Sequence, residues 1–245
     1  MKKLVYFMIV LFSISLYAKD EPIYQVSTLN ALLAGNYDGL IKVEDFLKRG
    51  SVGLGTFNEL DGEMIVLDGK CFRAKAIGEV VEVKKNETIP FGVITNFELE
   101  KQHHIEYMMN LKDLKDFINP LFINKDVFYV IKVLADFKYI KYRSVPKQER
   151  PYKNLSLVIK NEQVIFEEQN IAGTIIGFYF PEFMKGLNVV GYHFHFLSDD
   201  LTKGGHVFDF KADNLLVILD QKRQFVLDLA DGSFMGGLKI DSSSQ

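Results

Sequence analysis

Three of the five histidines in this chain lie close together, at positions where their side chains could hold a metal ion. His193 and His195 alternate with aromatic residues in the run Gly-Tyr-His-Phe-His-Phe of residues 191–196, and such a run favours a β-strand. Side chains on a strand point alternately to its two faces, so both imidazoles are expected on one face. Phe194 and Phe196 are expected on the opposite face.

Residues 198–205 are polar and end in two glycines, which indicates a turn that returns residues 207–210 as a neighbouring strand. That hairpin would bring His206 beside the other two imidazoles. Three neutral imidazoles on one side of a sheet can bind a metal and leave coordination positions open, as catalytic sites do. Zinc is the default ion, although iron, manganese, cobalt and copper also accept such ligands. The alternative is three ordinary histidines of the surface or the core.

A carboxylate elsewhere in the chain could supply acid–base chemistry. Glu63 follows the turn signal Asp61-Gly62 and precedes the apolar residues 64–67, so it is expected at the start of a strand that enters the core. A carboxylate in low-dielectric surroundings is suited to act as a general acid or base. An exposed turn residue is the alternative interpretation.

Other polar residues carry weaker signals. Arg143 ends an alternating, strand-like segment, and its planar guanidinium could bind a substrate carboxylate or hydroxyl, unless it is only a solvated strand end. Thr56 and Glu59 lie in the same glycine-rich segment as the carboxylate and could line a pocket. His103 and His104 lie in a polar stretch and are expected at the surface.

Composition places the chain among ordinary globular proteins and excludes several classes of site. Its 245 residues can bury a sizeable core, in one large domain or two small ones. The formal net charge of −3 gives no electrostatic basis for nucleic-acid binding. Cys71 is the only cysteine, so an intrachain disulfide and a cysteine zinc cluster are both excluded.

The first residues have the pattern of a secretory signal peptide. Two lysines precede an almost uninterrupted apolar run at residues 4–16, and the small Ala18 stands before the charged Lys19. The apolar run is shorter than the roughly 20 residues that a membrane-spanning helix needs. We therefore expect cleavage after residues 1–18 and export to the periplasm or the medium, without a stable membrane anchor.

The pattern of the remaining residues predicts a β-rich α+β protein. It would have a mixed sheet and a second, antiparallel β domain that carries the histidine hairpin. Helices are expected at residues 27–33, 42–49 and 111–118, and strands at residues 51–83, 91–99 and 128–142. Residues 155–229 are expected to be nearly all strand and turn. The polar, proline-bounded segment 143–152 is a candidate boundary between an N-terminal mixed-sheet domain, residues 19–150, and a C-terminal metal-binding domain, residues 151–245.

Three segments together resemble alpha-acetolactate decarboxylase. They are Gly-Leu-Gly-Thr-Phe-Asn-Glu-Leu-Asp-Gly-Glu-Met at residues 53–64, Arg-Ser-Val-Pro-Lys-Gln at residues 143–148, and the histidine hairpin at residues 191–207. They occur in the family's order and span most of the chain that follows the signal peptide. The resemblance implies a two-domain fold, a homodimer, and metal-dependent conversion of 2-acetolactate to (R)-acetoin and carbon dioxide.

The resemblance also implies a role for each motif residue. Glu63 would be the active-site carboxylate that protonates a metal-stabilised enediolate, and Arg143 would contact the substrate, with Thr56 nearby. Zinc, or another divalent transition metal, would be the cofactor. Its ligands would be His193, His195 and His206.

One part of the family pattern is missing, and two other functions remain open. The family carries a second active-site glutamate near its C-terminus, where this chain offers only Asp241, with Asp228 and Asp231 as further candidates. A cupin-like metalloenzyme also places H-x-H on a strand, but normally with a glutamate a few residues later, where this chain has Asp199 and Asp200. An exported, non-catalytic metal-binding protein is the other alternative.

Overall fold

The computed structural model describes residues 21–229. The expected signal peptide and two of the candidate carboxylates, Asp231 and Asp241, lie outside the described residues. Within those residues, no helix is long and apolar enough to cross a membrane.

The described chain is mostly β-structure, with four short α-helices. The helices are α1 (Leu29–Leu33), α2 (Val43–Phe46), α3 (Leu111–Ile118) and α4 (Leu155–Glu162). The strands are β1 (Ile23–Val26), β2 (Ile41–Lys42), β3 (Val52–Thr56), β4 (Glu63–Leu67), β5 (Lys70–Ala74), β6 (Val80–Glu82), β7 (Thr88–Ile89), β8 (Phe91–Thr95), β9 (Lys101–Ile105), β10 (Met109–Asn110), β11 (Phe128–Ser144), β12 (Val164–Phe180), β13 (Gly191–Ser198), β14 (Gly204–Lys222) and β15 (Phe225–Asp228).

The strands form two large sheets and one small pair. The first sheet has seven strands in the order β15-β1-β8-β3-β4-β5-β6, and it is mixed because β15 runs parallel to β1. The second sheet contains β9 to β14 and is antiparallel throughout its described pairings. Strands β2 and β7 form the separate pair. The predicted combination of a mixed sheet with an antiparallel, histidine-bearing sheet is confirmed.

The second sheet closes on itself. Strand β14 pairs with β11 along most of its length, and its first residues also pair with β13. Since β11 pairs with β12 and β12 with β13, these four strands form a closed ring. Closure removes free strand edges and fixes the register of the histidine strand from both sides.

Membership of the sheets does not follow position in the chain. Strands β9 to β11 precede residue 150 but belong to the second sheet, and β15 returns to the first. The two sheets share one apolar cluster, in which Ile23 and Leu54 of the first sheet and Val130 and Phe178 of the second are fully buried. The division of the chain into two domains at residue 150, like the homodimer, stays a prediction.

Side-chain caps begin two of the four described α-helices, α1 and α3. Thr28 caps α1, its side-chain oxygen accepting from the backbone N–H of Ala31. A reciprocal capping box between Asn110 and Asp113 begins α3, which spans the predicted residues. The expectation of strand and turn after residue 155 is wrong for α4, because a run of apolar residues this short does not by itself distinguish a helix from a strand.

The strand that carries two of the histidines is packed against a glycine on its other face. Phe194 lies opposite Gly177 of β12. A Cβ added at Gly177 would lie 2.1 Å from the Phe194 ring, a distance that side chains do not tolerate. Phe194 and Phe196 are both buried in the core of the second sheet. The phenylalanine face therefore seats β13, and the opposite face is left for the imidazoles.

We expect Gly177→Ala to destabilise the protein by about 2 kcal/mol, because the added methyl overpacks the contact with the Phe194 ring. Urea unfolding followed by circular dichroism measures the change in the free energy of unfolding. In a double-mutant cycle, Phe194→Leu should relieve part of the loss, so that the double variant is more stable than the sum of the single effects predicts. If the effects of the two substitutions on the free energy of unfolding were strictly additive, the contact between position 177 and the Phe194 side chain would not be the cause of the loss.

Candidate active site

The structure brings the three predicted histidines together. His193 and His195 lie on one face of β13, and His206 of β14 lies directly opposite His195 in the register. One ring nitrogen from each of the three lies within 4.8 Å of those of the others. The closest pair is His193 Nε2 and His206 Nδ1, 3.0 Å apart. The hairpin inferred from residue spacing therefore produces the expected cluster.

Burial keeps these imidazoles neutral. Desolvation lowers the pKa of His193 and of His206 well below the usual range, and neighbouring imidazoles and the Arg143 guanidinium lower it further. The pKa of His195 is also lowered by burial, although the Glu63 carboxylate and a backbone hydrogen bond oppose that shift. A neutral imidazole keeps a nitrogen lone pair, which is the form that binds metals.

The hydrogen bonds of the cluster leave nitrogens free for a ligand. His195 Nδ1 lies 2.8 Å from the backbone carbonyl of Met64, and a carbonyl only accepts, so Nδ1 carries the proton and Nε2 the lone pair. His195 Nε2 is buried and has no hydrogen-bond partner among the residues the structure describes. Buried polar atoms without a partner need an explanation, and a bound metal supplies one. The donor set therefore fits a divalent transition metal.

Glu63 lies at the start of β4, as predicted, and its carboxylate is almost completely buried. Arg143 Nη1 donates to Glu63 Oε1 over 2.7 Å. The other oxygen, Oε2, lies 3.5 Å from His195 Nε2. The strand enters the core because Met64 and the next two residues are fully buried, which pulls the carboxylate inward with them.

Arg143 joins the two halves of the site. It lies near the end of β11, directly opposite His206 of β14, and its side chain crosses to Glu63 on the first sheet. Both side chains are nearly buried, so the ion pair is poorly screened by water. The site is thus built where the two sheets meet.

Thr56 lies opposite Glu63 in the register of β3 and β4. Its hydroxyl donates to the carbonyl of Gly62 over 2.8 Å, so the proton is engaged and the oxygen lone pairs remain available as acceptors. Glu59, the other candidate for lining a pocket, is not among the residues that line this one. It lies in the turn between these strands in a left-handed conformation, where its carboxylate pairs with Lys147.

Two other groups of candidates lie apart from the cluster. His104 is exposed on β9, and His103 packs edge-on against Phe117 with ring centroids 5.6 Å apart. Asp228 accepts a hydrogen bond from Tyr24 between β15 and β1 and does not line the cavity. Asp228 therefore lies apart from the residues that line this cavity.

A cavity of about 220 Å³ connects these groups. Its polar side contains Thr56, Glu63, Arg143, His193 and His206. Its other side is aliphatic and aromatic, and residue patterns did not single it out, although Leu155 and Ile159 have the i, i+4 spacing of one helix face. The apolar lining consists of Leu29, Leu32, Leu33, Phe91, Val145, Leu155, Ile159 and Val189.

The fold is shared with solved structures. The crystal structure of alpha-acetolactate decarboxylase from Bacillus subtilis strain 168 aligns with a TM-score of 0.83 and 38% sequence identity, over 86% of this chain and 89% of that chain. A Staphylococcus aureus protein of unknown function, described as similar to alpha-acetolactate decarboxylase, aligns with a TM-score of 0.82 and 32% identity, over 84% of this chain and 88% of its own.

Sequence comparison leads to the same group of proteins. Alpha-acetolactate decarboxylase of Methanosarcina mazei is 41% identical over 216 residues, which cover 88% of this chain and 75% of the relative. The Bacillus subtilis enzyme is 37% identical over 227 residues, or 91% of this chain and 89% of the relative. The family model for alpha-acetolactate decarboxylase matches residues 23–236. The chain therefore belongs to the alpha-acetolactate decarboxylase family.

Proposed function

We propose that this protein decarboxylates 2-acetolactate to (R)-acetoin and carbon dioxide and needs a divalent metal for it. The observation that carries the proposal is the meeting of Glu63 and Arg143 with a cluster of three neutral imidazoles, two of which, His193 and His206, line the same cavity. Membership of the family indicates which reaction to expect, and these side chains are of the types that the reaction requires.

The metal would be held by His193, His195 and His206, with zinc the ion that an imidazole set usually binds. When bound, such an ion acts as a Lewis acid toward the ketone and hydroxyl oxygens of the substrate. The backbone carbonyl of Met64 holds His195 in the tautomer that exposes Nε2, which orients that ligand before any ion arrives.

Arg143 would hold the substrate carboxylate or hydroxyl. Its guanidinium offers several N–H donors in a fixed plane, and only part of that fork is used by Glu63. Thr56 would accept a hydrogen bond from the substrate hydroxyl, because its own proton is already donated to Gly62. Contacts from two directions would fix the substrate in one orientation, which lowers the entropy cost of reaching the transition state.

Glu63 would transfer the proton that the product needs. Loss of carbon dioxide breaks a carbon–carbon bond, and its electron pair flows toward the ketone oxygen. A proton must then be added to the carbon that lost the carboxylate. Glu63 lies on one side of the cavity and would pass a proton, taken up from solvent, to one face of that carbon, which sets the configuration of the product. The apolar lining would limit the water that could otherwise deliver a proton from either face.

Replacing the carboxylate tests this assignment. We expect Glu63→Gln to lower the rate of acetoin formation from racemic 2-acetolactate by about 100-fold or more, because the amide cannot donate an acidic proton. Metal content should stay unchanged. Glu59→Gln is the matched control, since Glu59 lies in the adjacent turn outside the cavity, and it should retain the wild-type rate. A wild-type rate in Glu63→Gln would contradict the role of Glu63.

Removing one imidazole tests the metal site. We expect His195→Ala to lose bound metal, measured as metal per chain by plasma mass spectrometry after gel filtration, and to lose activity with it. His104→Ala is the control, because this exposed histidine of β9 lies outside the cluster. Full metal content in His195→Ala would show that the cluster is not the metal site. Metal-loaded wild-type protein that forms no acetoin would instead favour a non-catalytic metal-binding protein.

We also propose that the protein is exported after removal of residues 1–18, as the N-terminal pattern indicates. Expression with the native N-terminus should yield extracytoplasmic protein whose first residue, found by mass spectrometry, is Lys19. Leu11→Arg interrupts the apolar run and should keep the protein in the cytoplasm with its N-terminus intact. Wild-type protein that stays in the cytoplasm uncleaved would rule out export.

A further inference from the structure

The apolar side of the cavity is formed largely by two helices that belong to neither sheet. Leu29, Leu32 and Leu33 of α1 line it, together with Leu155 and Ile159 of α4. We call these five residues the helical wall. Leu32 and Leu155 of the wall also belong to a small apolar cluster that packs the two helices together. The wall faces the polar groups across the cavity.

Hydrogen bonds and an ion pair from the segment between β11 and α4 hold α4 in place. Gln148 Nε2 donates to Glu162 Oε2 over 3.0 Å, and the backbone N–H of Gln148 donates to the carbonyl of Glu59 over 2.7 Å. Lys153 pairs with Glu162, and the Tyr37 hydroxyl donates to the Lys153 carbonyl over 2.9 Å. These bonds fix the distance between α4 and the polar side of the cavity.

If the proposed function holds, the substrate has a polar side and an apolar side, as the cavity does. A carboxylate, a hydroxyl and a ketone must face the charged and hydrogen-bonding side, because unpaired polar groups are costly to bury. The substituents that remain are alkyl groups, one on the carbon that bears the hydroxyl and one beside the ketone. Only the helical wall and its apolar neighbours are left to contact them.

Of the two wall residues on α4, Ile159 is the less buried, and it packs at the margin of the apolar cluster. Val158, its neighbour, is fully buried, and Leu155 is almost so, whereas Ile159 is only half-buried and lines the cavity. Shortening Ile159 therefore enlarges the cavity more than it disrupts packing.

We propose that the helical wall, including Ile159 of α4, sets the size of the alkyl substituent that this enzyme accepts. An aliphatic pocket distinguishes substrates by one methylene through the space it leaves, and each methylene changes kcat/KM by about tenfold or more. The wall is therefore the specificity-determining surface, and the polar side performs the chemistry.

The test compares 2-acetolactate with its homologue in which a 2-ethyl group replaces the 2-methyl group. The quantity measured is the ratio of kcat/KM for the ethyl substrate to kcat/KM for the methyl substrate. Ile159→Ala should raise that ratio by about tenfold, and Ile159→Phe should lower it, because the first enlarges the cavity and the second fills it. Leu157→Ala is the matched control, since Leu157 lies on the same helix but is 49% exposed and outside the cavity.

The outcomes separate this inference from the function on which it rests. Wild-type protein that forms no acetoin from 2-acetolactate would overturn the proposed function. Active wild-type protein with the same ratio in all three variants would overturn the role of the wall alone. Thermal unfolding identifies a misfolded variant, and if Ile159→Ala is one, then Ile159→Val and Ile159→Phe decide, because their ratios should move in opposite directions from the wild-type value.

Discussion

The candidate site depends on the double pairing of β14. At its beginning this strand pairs with β13 on one edge and with β11 on the other, so that His206 stands opposite both His195 and Arg143. Three functional side chains from three strands are thereby set side by side by backbone hydrogen bonds. The approach is close enough that a Cβ on Gly205 would lie 2.3 Å from the carbonyl of Arg143, which is why a glycine occupies this position.

Closure of the second sheet has an electrostatic consequence. It gathers three imidazoles and a guanidinium in surroundings that are largely shielded from water, with His195 fully buried and the other three side chains partly so. Charges in such surroundings are costly unless they are paired. The chain meets that cost in two ways. The imidazoles stay neutral, with their pKa values lowered chiefly by burial. The guanidinium pairs with Glu63, which the first sheet supplies. The same arrangement that limits the cost of burial leaves lone pairs, a carboxylate and an N–H fork directed at one cavity.

The two helices outside the sheets complete the site by adding its apolar side. A cavity with only polar walls would fill with water, and water both screens charges and supplies uncontrolled protons. The wall from α1 and α4 limits this space, and the segment between β11 and α4 carries Val145 from the end of the strand into the same lining. Rigid strands thus position the reactive groups, while short helices shape the space around them.

Much of this protein follows from its sequence, because local patterns act over a few residues. Period-two alternation placed His193 and His195 on one face, the glycine-closed turn returned His206 beside them, and the Asp-Gly turn put Glu63 at the start of a buried strand. The helix α3 covers the predicted residues 111–118, and the structure shows that side chains next to its first turn satisfy the backbone groups there. These features depend on backbone geometry and turn chemistry, which neighbouring residues decide.

Only the tertiary structure decided which distant residues meet. Arg143 reaches Glu63 although 80 positions separate them, whereas Glu59, in the same glycine-rich segment, turns away to Lys147. Helix α4 was not predicted, because its short apolar run suits a strand as well as a helix. Its packing against α1 and Tyr37 selects the helix. The sequence by itself determined which side chains could do chemistry and which face of each strand they occupy. Their assembly into one cavity was decided by strand closure and sheet packing, since those contacts join segments that no local pattern connects.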